Sequence, residues 1–219
     1  MDKFLRKIST LLVYLFLICN SILVLGPVIW TIMASFKKGN NLFSSTFSGI
    51  EFTFDHYITL FTDTPYMQWY LNTFILATAN MLISLFVVTM TAYVFSRYRF
   101  RGKRNTLMSI LVLQMFPAFL SMTAIYILLS KANLIDTYTG SLLVYVTGSL
   151  PFMTWLVKGY FDAIPTSLDE AAKIDGAGHL TIFIQIILPL AKPILVFVGL
   201  VSFTGPWMDF ILPTLVLRS

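Results

Sequence analysis

Long runs of apolar residues alternate with short polar segments along most of the 219-residue chain. A helix rises ~1.5 Å per residue, so about 20 apolar residues are enough to cross a bilayer. Runs of this length predict five transmembrane helices, at residues 10–36, 71–96, 107–130, 140–161 and 193–217. The pattern therefore predicts an all-α fold, a polytopic membrane helical bundle.

Composition supports the membrane assignment. Hydrophobic residues make up 57% of the chain and charged residues only 11%, and the mean hydropathy is +0.81. One soluble core does not need so much apolar sequence. The single cysteine, Cys19, lies inside the first run and excludes an intramolecular disulfide.

Proline recurs inside the predicted spans. Each proline lacks a backbone donor, so the carbonyl that it frees must be satisfied by a neighbouring helix or by a water-filled path. The prolines concerned are Pro27, Pro117, Pro151, Pro206 and Pro213.

The basic residues flank the apolar runs and predict an orientation. With a cytoplasmic N-terminus, 11 of the 15 Lys and Arg residues fall inside and only Lys37, Lys38, Lys131 and Arg218 fall outside. This bias follows the positive-inside rule. The basic run at residues 97–104, RYRFRGKR, is expected to meet anionic lipid headgroups, since no other feature supports the alternative of nucleic-acid binding.

Several kinds of chemistry are not expected. The spans carry no cluster of ionisable residues, and Asp209, the one acidic residue of the fifth run, stands beside Trp207 and is expected near an interface. His56 and His179 fall in different loops, which argues against a metal site or a catalytic triad. A phosphate-binding loop of the type GxxxxGK[ST] is absent from the sequence. We therefore expect neither an enzyme nor a cofactor bound by this chain.

The segment between the fourth and fifth runs breaks the apolar pattern. Ser167 and Glu170 have the spacing of a capping box, which predicts the start of a short helix. Gly176, together with Gly178, is expected to end it. A second run, residues 179–188, is expected to end at Pro189 and to lead the chain back to the next span.

A helix of about two turns is marginal alone in water, so something must pack on it. The paired alanines Ala171 and Ala172 offer a thin face to another protein, with Glu170, Lys173 and Asp175 around its rim. Packing of this helix on its own bundle is the alternative. The residues alone leave both open.

The string EAA at residues 170–172, with Gly176 and the ILP at residues 187–189, resembles the EAA loop of permease subunits in binding-protein-dependent ABC importers. YLNTFILA at 70–77, MFP at 115–117 and YILLSKANLIDTYTGSLLVY at 126–145 look like the carbohydrate branch, specifically the smaller permease of maltose-type heterodimers. The resemblance implies one transmembrane domain over residues 1–219, with a coupling loop at about 163–193. Family members usually have six spans, so the last helix is expected to be missing.

The resemblance also implies partners. The loop would dock on a cytoplasmic ATPase subunit, which binds the ATP and is present in two copies. A second permease subunit, an extracytoplasmic sugar-binding protein and lipids of a prokaryotic inner membrane complete the expected set, without nucleic acid. The implied docking residues are Glu170, Ala171, Ala172, Asp175, Gly176, Leu188 and Pro189.

The implied function is import of a carbohydrate, such as a malto-oligosaccharide or a related sugar, by alternating access. Four polar or aromatic residues are candidates for the sugar path, although each also suits helix packing. They are Gln114, Tyr126, Ser149 and Trp155. Two other functions stay open: a permease for a different solute, and an assembly subunit that stabilises a partner permease.

Overall fold

The computed structural model describes residues 2–39 and 51–217, which form two compact units, Met1–Trp69 and Tyr70–Ser219. Apart from one isolated bridge between Lys37 and Phe52, the regular structure of the described residues is helical, which confirms the all-α prediction. Arg218 lies outside the described residues. The single transmembrane domain expected from the sequence stays a prediction. The helices are α1 Asp2–Ser35, α2 Asp55–Thr62, α3 Tyr66–Arg97, α4 Lys103–Gln114, α5 Ala118–Lys131, α6 Tyr138–Asp162, α7 Ser167–Ile174, α8 His179–Ile182, a π-helical turn Phe183–Ile187, α9 Leu188–Leu190, α10 Lys192–Met208 and α11 Ile211–Val216.

In the first unit, an aromatic cluster joins the end of α1 to α2. The ring of Phe36 lies 5.4 Å from those of Phe54 and Tyr57, between centroids. Next to it, Lys38 and Glu51 form an exposed ion pair at 2.8 Å. Their hydrogen bond and opposite charges raise the pKa of Lys38 and lower the pKa of Glu51. Exposed pairs of this kind contribute little to stability.

Three described helices are long and apolar enough to cross a membrane: Arg6–Ser35, Tyr66–Arg97 and Tyr138–Asp162. A fourth span is present if the bent pair His179–Leu190 and Lys192–Met208 counts as one, with 82° between its two parts. The described residues thus show three or four candidate spans where the sequence predicted about five, and the differences lie in the third and fifth predicted runs.

The third predicted run, 107–130, is two helices instead of one. Helix α4 ends at Gln114 and α5 begins after Pro117, whose backbone is extended with ψ 122°. Proline donates no amide hydrogen bond and disfavours helical geometry in the residue before it. With 12 and 14 residues, neither α4 nor α5 reaches the length of a span alone.

The fifth predicted run, 193–217, also divides. Pro193 lies in the first turn of α10, as expected, but that helix ends at Met208. Asp209 follows in extended conformation, and its Oδ1 accepts hydrogen bonds from the backbone amides of Ile211 at 2.9 Å and Leu212 at 3.3 Å. The carboxylate thus satisfies free amides at the start of α11.

The main core of the second unit lies where α3 and α6 meet the segment from α8 to α10. Its buried residues are Val88, Ala92, Tyr93, Met153, Val157, Phe161, Ile164, Ile182, Phe183, Ile187, Ala191 and Val198. A second apolar cluster joins α5 to α11 through Leu129, Leu212 and Val216. Helix α6 contributes to both clusters, at its two ends.

Pro206 frees the carbonyl of Ser202, four residues earlier in α10. The buried side chain of Asn80, on α3, donates its amide hydrogen to this carbonyl at 2.6 Å. In turn, Ser84 donates to the Asn80 side-chain oxygen at 3.3 Å. A neighbouring helix therefore satisfies the freed backbone group, as the sequence predicted for such prolines.

Replacing Asn80 with leucine is expected to destabilise the protein by about 1–2 kcal/mol, because the Ser202 carbonyl would then be buried without a donor. The measurement is the free energy of unfolding in mixed detergent micelles. Thr89→Val is the matched control, since the buried Thr89 hydroxyl donates only to carbonyls of its own helix. Equal losses in the two variants would contradict this role for Asn80.

Candidate coupling site

Helix α7 begins at Ser167, but the predicted capping box does not form. The N-cap residue is Thr166, which has helical geometry and makes no capping hydrogen bond through its side chain. Ser167 is thus the first helical residue instead of the cap. The preceding helix, α6, ends five residues earlier at Asp162, and Thr166 has φ −66° and ψ −19°, whereas a capping residue normally has an extended backbone.

Gly176 ends α7, as predicted. Its φ of +84° is left-handed, which L-residues with side chains adopt at a cost. The Gly176 amide donates to the Lys173 carbonyl at 3.0 Å, and the Ala177 amide donates to the Ala172 carbonyl at 2.9 Å. These two bonds form a Schellman motif. Gly178 has an extended backbone at φ −76° and precedes α8, so it takes no part in stopping α7.

The second run does not stop at Pro189. The π-helical turn Phe183–Ile187 lies just before it, and Pro189 then sits inside α9. A proline ring in a regular α-helix clashes with the carbonyl four residues earlier, here that of Gln185. Because Gln185 belongs to the wider π-helical turn, the helix continues past Pro189 to Leu190.

A buried arginine joins three helices at the predicted coupling loop, residues 163–193, which we call the coupling segment. Arg97, at the end of α3, places its Nε 2.7 Å from Asp169 Oδ2 in the first turn of α7. Its two terminal nitrogens donate, both at 3.0 Å, to the carbonyls of Phe161, in the last turn of α6, and of Ile164, two residues after that helix. The side chains of Arg97 and Asp169 are only 7% and 9% exposed. We call this set of contacts the Arg97 clamp.

Arg97 is therefore not a headgroup ligand, which corrects one member of the basic run expected at the lipid surface. Burial of its charge is compensated by a carboxylate and two carbonyls. A weak signal was present in the sequence, since Arg97 follows the aromatic Tyr93 by one helical turn. Nothing local pointed to Asp169, which lies 72 positions further along the chain.

Aromatic side chains in the last turn of α3 and just after it contact the start of α8. The Tyr93 hydroxyl donates to the His179 carbonyl at 3.3 Å, and its ring lies 4.8 Å from that of Phe183. The ring of Tyr98 lies 5.3 Å from the His179 imidazole. Both halves of the coupling segment, α7 and α8, are thus attached to the same end of α3.

The predicted docking residues divide between two faces. Glu170, Ala171, Asp175, Gly176 and Pro189 are exposed. By contrast, Ala172 and Leu188 are half-buried and pack on the main core. One side of the helix therefore packs on its own bundle, while the other side is accessible and docking of another protein there stays a prediction.

Three apolar residues of α7 and α8 are exposed to solvent. Ile174, in the last turn of α7, is 87% exposed, and Leu180, in α8, is 63% exposed. Ala171 precedes Ile174 by three residues and shares its face of the helix. These three residues form what we call the loop face. Exposed apolar residues grouped in this way are typical of interaction surfaces.

The four candidate path residues do not share one face. Gln114 ends α4, and Tyr126 lies in α5. Ser149 and Trp155 are six residues apart on α6, so they point about 120° apart around its axis. The Trp155 indole donates to the Leu107 carbonyl at 3.1 Å and joins α6 to α4. A sugar path through these residues stays a prediction.

Comparisons with known proteins identify the family. Residues 88–219 match the family model described as binding-protein-dependent transport system inner membrane component. The chain belongs to this family. Members are permease components of ABC importers and are not enzymes, which confirms both the resemblance and the expectation that the chain is not an enzyme.

Relatives of this permease include named sugar transporters. The maltodextrin transport system permease protein MdxG of Bacillus subtilis is 41% identical over 98% of this chain and 77% of its own length. The galactooligosaccharides permease protein GanQ of the same organism is 43% identical, with the same coverage of both chains. The crystal structure of a bacterial ABC transporter that imports the acidic polysaccharide alginate matches with a TM-score of 0.85 and 25% identity, over 97% of this chain and 75% of that chain.

Proposed function

We propose that this permease carries an oligosaccharide, such as a malto-oligosaccharide, into the cytoplasm by alternating access. Its coupling segment, at about 163–193, would receive the movement of a separate ATPase subunit. Relatives named for maltodextrin and galactooligosaccharide transport support the class of substrate. The remaining partners proposed are a second permease subunit, a second copy of the ATPase and an extracytoplasmic sugar-binding protein.

The observation that carries the proposal is the two-sided construction of α7. The Arg97 clamp fixes the inner side to α3 and α6, while the outer side presents the loop face. A force applied to Ala171 and Ile174 would reach two long apolar helices through buried contacts. Glu170, Ala171, Ala172, Asp175, Gly176, Leu188 and Pro189 are proposed as the coupling residues, with Ala172 and Leu188 acting on the inner side.

The proposed orientation has the N-terminus and the coupling segment in the cytoplasm. Support comes from the Lys and Arg distribution, which favours that side by 11 to 4. The segment follows the C-terminal end of α6 and lies at the end of α3, where most of the basic loop residues are found.

The test is ATP-driven uptake by proteoliposomes that contain the complete transporter and its binding protein. We expect accumulation of radiolabelled maltodextrin or galactooligosaccharide only with ATP present on the cytoplasmic side. Omission of this permease should abolish uptake. Uptake that persists without it would contradict the proposal and favour an assembly role, while transport of an unrelated solute alone would contradict the sugar assignment.

A further inference from the structure

A cavity of about 440 Å³ lies between the start of α4 and the last turns of α6. Its lining residues are Phe100, Gly102, Lys103, Arg104, Asn105, Leu107, Met108, Trp155 and Lys158. Three of these carry positive charge and none carries a carboxylate. From this cavity we infer a binding site for the headgroup of an anionic phospholipid.

Arg104 is the cation best placed to bind an anion. It is exposed at the rim of the cavity, and it makes no hydrogen bond or ion pair with another described residue. The planar guanidinium suits two oxygens of one phosphate group. Lys158 is mostly buried, with 16% of its side chain exposed, and pairs with Asp162, which is itself 43% exposed. Lys103 donates to the Tyr98 carbonyl at 3.1 Å.

The apolar surface next to Arg104 fits an acyl chain. On α4, Met108 and Val112 follow Arg104 at intervals of four residues, so the three side chains lie along one side of the helix. Met108 is 49% exposed and Val112 is 61% exposed. The distance from Arg104 to Val112 along the axis is about 12 Å, which is most of one leaflet of ~15 Å.

This combination favours a lipid over a free anion. A charged group followed by an exposed apolar stripe matches an amphiphile, whereas inorganic phosphate would use only the charged end. A fixed wall completes the site, because the Trp155 indole is held by its hydrogen bond to the Leu107 carbonyl.

A second cavity, of about 310 Å³, lies beside the Arg97 clamp and could also bind an anionic headgroup. It is also lined by cations, among them Arg99 and Lys173, but Asp169 and Glu170 line it as well. Two carboxylates therefore offset part of its positive charge, whereas no carboxylate lines the cavity beside Arg104. For this reason we assign the lipid to the cavity beside Arg104.

The test uses the protein purified in detergent and titrated with phosphatidylglycerol, with bound lipid counted by native mass spectrometry. We expect saturable binding to the wild type and no saturable binding of phosphatidylcholine with the same acyl chains. The double variant R104Q/K158Q should bind phosphatidylglycerol about tenfold or more weakly, since each basic residue near an anionic lipid contributes measurably. R104Q alone should lose part of this affinity without altering the Lys158 ion pair.

R101Q is the matched control, because Arg101 belongs to the same basic run but does not line the cavity. Its affinity should stay within about twofold of the wild type. Unchanged affinity in both R104Q variants, or an equal loss in R101Q, would overturn the site. Displacement of the lipid by millimolar inorganic phosphate would show a free-anion site instead. Lipid that binds the isolated chain but is lost when the partner permease is added would show that the stripe is a protein interface, which also contradicts the proposal.

Discussion

The variant Arg97→Met is expected to lose about 3–5 kcal/mol of stability and most of its coupled transport, because Asp169 would be left as an uncompensated buried charge. The methionine removes the ion pair at 2.7 Å and the donors to the Phe161 and Ile164 carbonyls. Stability is measured as the free energy of unfolding in detergent micelles. Transport is measured as uptake per ATP hydrolysed in the assembled complex.

Two further variants separate charge from geometry. Arg97→Lys keeps the charge, but one ammonium group does not reproduce the fork that reaches three acceptors, so a partial loss is expected. R97M/D169L removes the uncompensated carboxylate and should recover part of the stability lost in R97M. Arg101→Met is the control, since Arg101 is exposed. Comparable losses in R97M and R101M would contradict the Arg97 clamp.

Replacing Gly176 with valine is expected to reduce uptake about tenfold relative to ATP hydrolysis. Its φ of +84° forces a β-branched side chain into a left-handed conformation that costs roughly 1–2 kcal/mol. A cost of 1.4 kcal/mol corresponds to a tenfold change in the population with the correct loop shape. No atom lies within 4 Å of a Cβ built at this position, so the effect comes from the backbone and not from a clash.

Gly178 provides the matched control for that substitution. It also has open space around a built Cβ, but its φ is −76°, which any residue adopts. Gly178→Val should therefore keep uptake and hydrolysis in step, and Gly176→Asn should retain more coupling than Gly176→Val, because asparagine tolerates the left-handed region. If Gly176→Val transports normally, the shape of this turn does not matter for coupling.

Local signals in the sequence predicted the short helix α7 and its end, whereas its role in coupling came from the family resemblance and stays a proposal. The end of α7 at Gly176 depends only on the local backbone. The polar residues between the fourth and fifth apolar runs showed where this short helix lies. Likewise, the rule that a freed carbonyl needs a donor predicted that either a neighbouring helix or a water-filled path satisfies the carbonyl freed by Pro206. Which residue supplies the donor, Asn80, depends on packing between α3 and α10 and was not predicted.

Other features depended on distant parts of the chain. The Arg97 clamp joins positions 72 residues apart, and hydrophobic patterning carries no information on such pairs. The capping box predicted at Ser167 failed for a different reason, since Thr166 precedes the first helical residue and its backbone is already helical. Hydropathy alone also merged α4 and α5 into one span, because residues on both sides of Pro117 are apolar.

If the loop face meets an ATPase subunit, as we propose, Ile174 lies in the contact and can be cross-linked to that subunit. Cys19→Ser removes the chain's single cysteine, and Ile174→Cys then places a thiol at an 87% exposed position. Met208→Cys is the matched control, because Met208 is 86% exposed and lies at the C-terminal end of α10, away from the coupling segment in sequence. Each thiol is labelled with a maleimide-benzophenone, the complex is irradiated, and the adducts are identified by mass spectrometry. We expect an adduct with the ATPase subunit from position 174 and none from position 208. Full labelling at 174 without an ATPase adduct, or equal adducts from both positions, would contradict this contact.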